Sequence, residues 1–117
     1  FAGFESGVET LFGAFDVFVL SSVEEALGSS VLDAFSQKVP VVATRAGGLK
    51  ESLADERGLL GDVGDFRAMA ASLAQVLDSP DLRAGLTRNA YDYVLREHNV
   101  DTMGERYLAL YESVLEQ

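Results

Sequence analysis

The chain has 117 residues, 48% of them hydrophobic and 24% charged, the profile of one soluble globular domain able to bury a single core. Its 19 acidic against 9 basic residues leave a net charge of −10, which repels phosphate backbones and anionic lipid and argues against nucleic-acid or membrane binding. Without cysteine there are no disulfides or thiolate metal sites, a composition that fits the reducing cytoplasm, and the single histidine, His98, forms no imidazole cluster. The apolar run at residues 17–20 is far too short to span a bilayer, and no basic segment precedes an apolar stretch as in a signal peptide. Opening on Phe1 at the end of an apolar segment, the chain is expected to be a piece of a longer protein.

Residues 1–3 read as the tail of a strand. Residues 8–15 follow as a helix, with Val8, Leu11, Phe12 and Phe15 at helical spacing. The block D-V-F-V-L at 16–20 is a strand ended by Ser21 and Ser22. Over 29–37 the pattern is an amphipathic helix, Val31, Leu32, Ala34 and Phe35 on one side and Ser29, Ser30, Asp33, Ser36 and Gln37 on the other. P-V-V-A-T at 40–44 is a second strand, ended by Gly47 and Gly48, and G-L-L-G at 58–61 a weaker third. Both main strands are continuously apolar, as expected when a parallel strand is covered on both faces.

The rest is helical. Asp65 is the expected N-cap of a helix over 66–77, and Ser79 with Pro80 opens another that runs to about Glu97. Asp101 is the expected cap of a last helix carrying an apolar stripe of Met103, Tyr107, Leu110, Tyr111 and Val114. Tyr91, Tyr93, Tyr107 and Tyr111 read as packing aromatics, and His98 as a cation at a helix C-terminus. The alternation implies a three-layer α/β/α fold, a parallel sheet with right-handed crossovers and helices on both faces, ending in a run of helices.

Ligands of open parallel sheets bind beyond the carboxyl ends of the strands, which here are residues 21–30 and 45–50. Gly28, Ser29 and Ser30 open a helix whose free N–H groups and positive dipole end suit a pyrophosphate; equally, Gly28 only turns the chain and Ser29 caps the helix. Glu25 reads either as an acceptor for ligand hydroxyls or as the far end of a capping box with Ser22. Asp33 is a second hydroxyl acceptor or a solvated residue of a polar stripe. Gly47 and Gly48 permit positive φ and close approach to a ligand, with Glu51 beside them as a crevice residue or a helix-start charge.

In order along the chain, D-V-F-V-L-S-S, E-A-L-G-S-S-V-L-D-A-F and V-P-V-V-A-T-R-A-G-G-L-K-E-S-L resemble the donor-binding half of the retaining GT-B glycosyltransferases, group 1 or family 4. R-G-L-L-G-D-V-G-D and R-Y-L-A-L-Y-E-S-V-L continue the resemblance more loosely, so that it covers almost the whole chain. The resemblance implies a Rossmann-like donor domain lacking its first two βα units and the acceptor domain that precedes them. It implies transfer of a sugar, with retention, from a nucleoside diphosphate sugar to a hydroxyl acceptor, with no cofactor and no required metal. It places Glu25 on the donor sugar, the backbone of Ala26, Leu27, Gly28, Ser29 and Ser30 on the diphosphate, Asp33 on the ribose, and Gly3 and Phe4 by the nucleobase. The second acid is aspartate where the family has glutamate, one methylene shorter, and Ala26 and Leu27 replace Gly-Phe.

The cations that neutralise the diphosphate in that family lie before Phe1, so the chain alone is expected to be inactive. A rival reading is a non-catalytic Rossmann-like module for nucleotide binding or assembly. A phosphorylase would need a cofactor lysine, for which Lys38 and Lys50 have no recognisable context. Loss of the first strands bares the edge of the 16–20 strand, so self-association is expected.

Overall fold

The strand read from P-V-V-A-T is the middle strand of a parallel sheet in the computed structural model, which describes residues 1–116. After a 3₁₀ helix at Val8–Ala14 the elements are β1 (Phe18–Leu20), α1 (Ser29–Ser36), β2 (Val41–Thr44), α2 (Leu49–Ser52), β3 (Leu59–Gly61), α3 (Phe66–Asp78), α4 (Pro80–Glu97) and α5 (Val100–Leu115). The sheet order is β1-β2-β3, with Phe18 opposite Val41 and Val42 opposite Leu59.

Alternation along β2 explains its uninterrupted apolar run. Val41 and Ala43 face a core built with Val31, Ala34 and Phe35 of α1, while Val42 points the other way onto Val76 of α3 and Leu86 of α4. All four residues of β2 are buried. α4 contributes Ala90 to the first cluster and Leu86 to the second, so one helix closes both cores. The expected fold, a parallel sheet covered by helices on both sides, is the fold observed.

β1 departs from expectation. Val19 shares a face with Val42 and Leu59, yet it is 44% exposed because α3 does not extend over this strand. β1 also has a neighbour on one side only. An apolar strand with a free ladder edge is a template for pairing with another chain. The 117-residue chain is therefore expected to associate with increasing concentration, and Val19→Lys to reverse this. Multi-angle light scattering showing a monomer of the unsubstituted chain at every concentration would contradict it.

The ends depart further. Residues 1–3 form no strand: Phe1 and Phe4 stand in solvent and Gly3 adopts a φ of 80°. The predicted helix at 8–15 is a 3₁₀ helix that buries only Phe12, whose ring packs at 5.1 Å from that of Phe18. It starts from Gly7 in a left-handed conformation, and Val8, Leu11 and Phe15 remain about half exposed.

Capping chemistry sets the helical half. Asp65 accepts from Ala68 N–H and Ser79 from Leu82 N–H, as read from the sequence. The cap of α5 is Asn99, which accepts from Thr102 N–H at 2.8 Å, and not Asp101. His98 closes α4 through its own N–H to Val94 C=O, its ring edge-on to Tyr93. Arg106 of α5 pairs with Glu97, whose carboxyl is held below its ordinary value by this hydrogen bond and by the positive charge beside it. α5 buries none of its residues, and the predicted stripe of Met103, Tyr107, Leu110, Tyr111 and Val114 is exposed. Tyr107 and Tyr111 lie beside each other, ring centres 6.3 Å apart and both more than half exposed, whereas Tyr91 lies under Lys38 and Tyr93 under Arg57. No helix among the described residues is long and apolar enough to cross a membrane.

Candidate functional site

β1 and β2 are parallel, so the loops that follow them emerge at the same end of the sheet. There the two loops clasp each other. Gly48 N–H donates to Ala26 C=O at 3.0 Å and to Glu25 C=O at 3.3 Å, and the buried Thr44 hydroxyl donates to Ser22 C=O at 2.5 Å. Only glycine fits the clasp. A Cβ on Gly47 would stand 1.6 Å from the Glu25 carbonyl oxygen, and one on Gly48 2.2 Å from that of Ala26. Gly47 also has a φ of 46°, in the left-handed region. The close approach that the glycine pair permits is thus made by the chain's own backbone at Glu25 and Ala26.

The clasp presents Glu25 half-buried in an irregular loop and not on a helix. Its carboxylate accepts from the Ser22 hydroxyl at 3.4 Å and from Ala26 N–H at 3.1 Å. The two side chains bond each other and not, as in a capping box, each other's backbone N–H groups; no helix starts there, so they fasten a loop and cap nothing. α1 begins only at Ser29, after Gly28 as N-cap with a φ of 71°. Gly28 is buried, with Leu49 of α2 where a Cβ would go, and no side chain caps the helix. Ser29 is therefore the first helical residue and not the cap. Among the described residues the N–H groups of Ser29 and Ser30 have no acceptor outside the helix. They are the orphan donors of a helix start, at the strand-end side of the sheet.

Asp33 lies one turn further along α1 on its exposed side, together with Ser29, Ser36 and Gln37, as the polar stripe predicted. Its carboxylate makes no hydrogen bond or ion pair with the described residues. Glu51 is exposed on α2. Gly3 and Phe4 are not drawn to this loop: a Cβ on Gly3 would meet nothing within 4 Å, and Phe4 is fully in solvent.

A model of the family "Glycosyl transferases group 1" matches residues 1–93. The chain belongs to that family. It is 32% identical over 114 residues to the lipopolysaccharide core biosynthesis glycosyltransferase LpsE of Rhizobium meliloti, covering 97% of itself and 34% of LpsE. It is 33% identical over 106 residues to the D-inositol 3-phosphate glycosyltransferase of Corynebacterium urealyticum, covering 90% of itself and 25% of that protein. Among solved structures, the C-terminal domain of a group 1 glycosyl transferase family protein from Francisella tularensis superposes with a TM-score of 0.75 at 27% identity, over 86% of this chain and 52% of that one. A glycosyltransferase of Rickettsia africae shares the fold with a TM-score of 0.85 at 23% identity, over 97% of this chain and 31% of that one. The chain thus spans about a quarter to a third of the length of the two relatives named.

Other features of the chain do not compete as a site. A cleft of about 530 Å³ lies between α4 and the turn before β3, lined by Asp55, Arg57, Asn89, Asp92, Leu95 and Arg96. Its buried charge is already spoken for, since Arg57 bonds Asp55 and two backbone carbonyls. No group of three or more His, Cys, Asp or Glu side chains is placed to hold a metal among the described residues. Two sets of side-chain contacts near these loops have no local signature in the sequence. Thr44 looked like the end of a strand, and nothing local signals its bond to a carbonyl 22 positions earlier. Arg57, just before the glycine that precedes β3, belongs to no local pattern that marks it as buried.

Proposed function

We propose that the chain forms part of the donor-binding half of a retaining glycosyltransferase, which moves a sugar from a nucleoside diphosphate sugar to a hydroxyl acceptor. One observation carries this reading. In a member of the group 1 family, the unpartnered N–H groups of Ser29 and Ser30 open an uncapped helix beside a clasped, half-buried Glu25. A helix start with free donors stabilises an anion, and it does so most where charge grows on a leaving diphosphate.

In this arrangement the backbone from Ala26 to Ser30 receives the diphosphate, and Gly28 keeps that approach free of a side chain. Glu25 has lone pairs left after bonding Ser22 and Ala26, and these accept from donor-sugar hydroxyls. Asp33, unpaired on the exposed side of α1, accepts from the ribose, and Gly3 and Phe4, which stand in solvent in the chain alone, border the nucleobase once the rest of the parent protein orders them. The parent protein carries the acceptor domain and the countercharge for the diphosphate, works in the cytoplasm, and needs neither metal nor cofactor for this chemistry. The chain alone, with a net charge of −10, binds donor weakly and turns none over.

The test is donor affinity and transfer rate in the full-length protein, with UDP-glucose and GDP-mannose as probes. Glu25→Ala is expected to lower transfer about 10- to 100-fold, the worth of a hydrogen bond to a charged group, and Asp33→Ala to weaken donor binding by about tenfold. If neither substitution alters affinity or rate, the chain is a non-catalytic module and the 22–26 bend is purely structural.

A further inference from the structure

Burying a guanidinium is costly unless its donors are met, so a buried arginine marks something held in place. Arg57 is 8% exposed. Its Nε donates to Ser52 C=O at 2.8 Å, its Nη2 to Glu51 C=O at 2.5 Å and its Nη1 to the Asp55 carboxylate at 2.9 Å. Its guanidinium carbon lies 3.9 Å from the centre of the Tyr93 ring on α4. Asn89 of α4 ties down the same turn through Glu56 C=O at 3.2 Å.

Glu51 and Ser52 are the last residues of α2, a four-residue helix. A single turn is unstable by itself, and its final carbonyls have no partner within the helix. Arg57 supplies the side-chain partner of Ser52 C=O and adds a second donor to Glu51 C=O, which also accepts from Ala54 N–H at 3.3 Å. At the other end of this turn Gly48 C=O accepts from Ser52 N–H at 3.0 Å and from Glu51 N–H at 3.1 Å, while Gly48 N–H holds Ala26 and Glu25. Leu49, one residue on, fills the space against Gly28. A continuous set of bonds therefore runs from Tyr93 and Arg57, at the amino end of β3, to the loop carrying Glu25 at the carboxyl end of β1.

We infer that Arg57 is a positioning residue for the 25–28 loop, acting through α2. It touches no ligand; it sets where Gly48 and Leu49 stand, and these set the loop. The effect on donor binding rests on the proposed function, whereas the effect on the loop does not.

Hydrogen exchange on the full-length protein reads the loop directly. In Arg57→Met, which keeps the stem and loses the donors, exchange at residues 25–28 and 47–53 is expected to rise about tenfold more than at β2 and α3. Arg57→Lys, with fewer and differently spread donors, is expected to restore part of that protection and carries the comparison should the methionine variant fail to fold. Affinity for UDP-glucose or GDP-mannose, whichever the unsubstituted protein binds, should fall with the loss of protection. A rise shared equally by β2 and α3, or absent at 25–28, overturns the inference. Glu25→Gln separates the two claims: if it leaves both donor affinity and exchange unchanged while Arg57→Met still loosens the loop, positioning stands and the donor reading falls.

Discussion

Gly47→Ala is expected to destabilise the protein by about 2–5 kcal/mol, from left-handed strain of about 1–2 kcal/mol and overpacking of about 1–3 kcal/mol. The structural cause is the Glu25 carbonyl, 1.6 Å from where the new methyl would lie. Backbone cannot rotate away as a side chain does, so the 25–28 loop must leave its place. Two controls separate the contributions. Gly64→Ala adds a methyl at a φ of 84° into open space and carries strain alone. Gly48→Ala adds one at ordinary helical φ, 2.2 Å from the Ala26 carbonyl, and carries overlap alone. Denaturant midpoints should rank Gly47→Ala lowest, and donor affinity should fall for Gly47 and Gly48 but hold for Gly64. Equal midpoints for Gly47→Ala and Gly64→Ala would show that the clasp is not the constraint.

Phe35→Ala is expected to cost about 3–5 kcal/mol, out of a total stability that for most domains is about 5–15 kcal/mol. Phe35 is fully buried behind α1, in one core with Val31, Val41 and Leu49, and its removal leaves a cavity that fixed backbone on two sides cannot fill. Leu27→Ala, at a half-exposed position in the site loop, should change stability by less than about 0.5 kcal/mol. Thermal and urea unfolding of the pair decide the matter. A loss below about 1.5 kcal/mol for Phe35→Ala would mean that α1 is not anchored by this core.

What could be read before any coordinates was what local pattern determines. The V-V-A-T strand announces itself because both faces of β2 are covered, and the caps at Asp65 and Ser79 because they act within three residues. Errors cluster where contacts distant in sequence prevail. Ser22 and Glu25 do bond each other, but the helix their pattern promises is prevented where Gly48 captures the carbonyls of Glu25 and Ala26. Asp101 and Asn99 are both good caps two residues apart, and the choice falls to Asn99, whose amide also reaches Leu95 C=O of α4. Residues 1–3 have strand composition and no strand beside them to pair with. The loops that follow β1 and β2 were legible from the sequence; what joins them was not, because Thr44 and Arg57 act on carbonyls, which leave no trace in side-chain pattern.

The clasp between the two strand-end loops also determines what can be exchanged among relatives. Residues 21–28 carry Glu25 and the approach to α1 but not their geometry, which comes from Thr44, the glycine pair and Leu49 some 20 positions later. Grafting that loop alone into a related domain would transplant a sequence without its mould. The smallest portable piece is the stretch from β1 through α2 with Arg57 attached, and recombination within it separates parts that have shape only together.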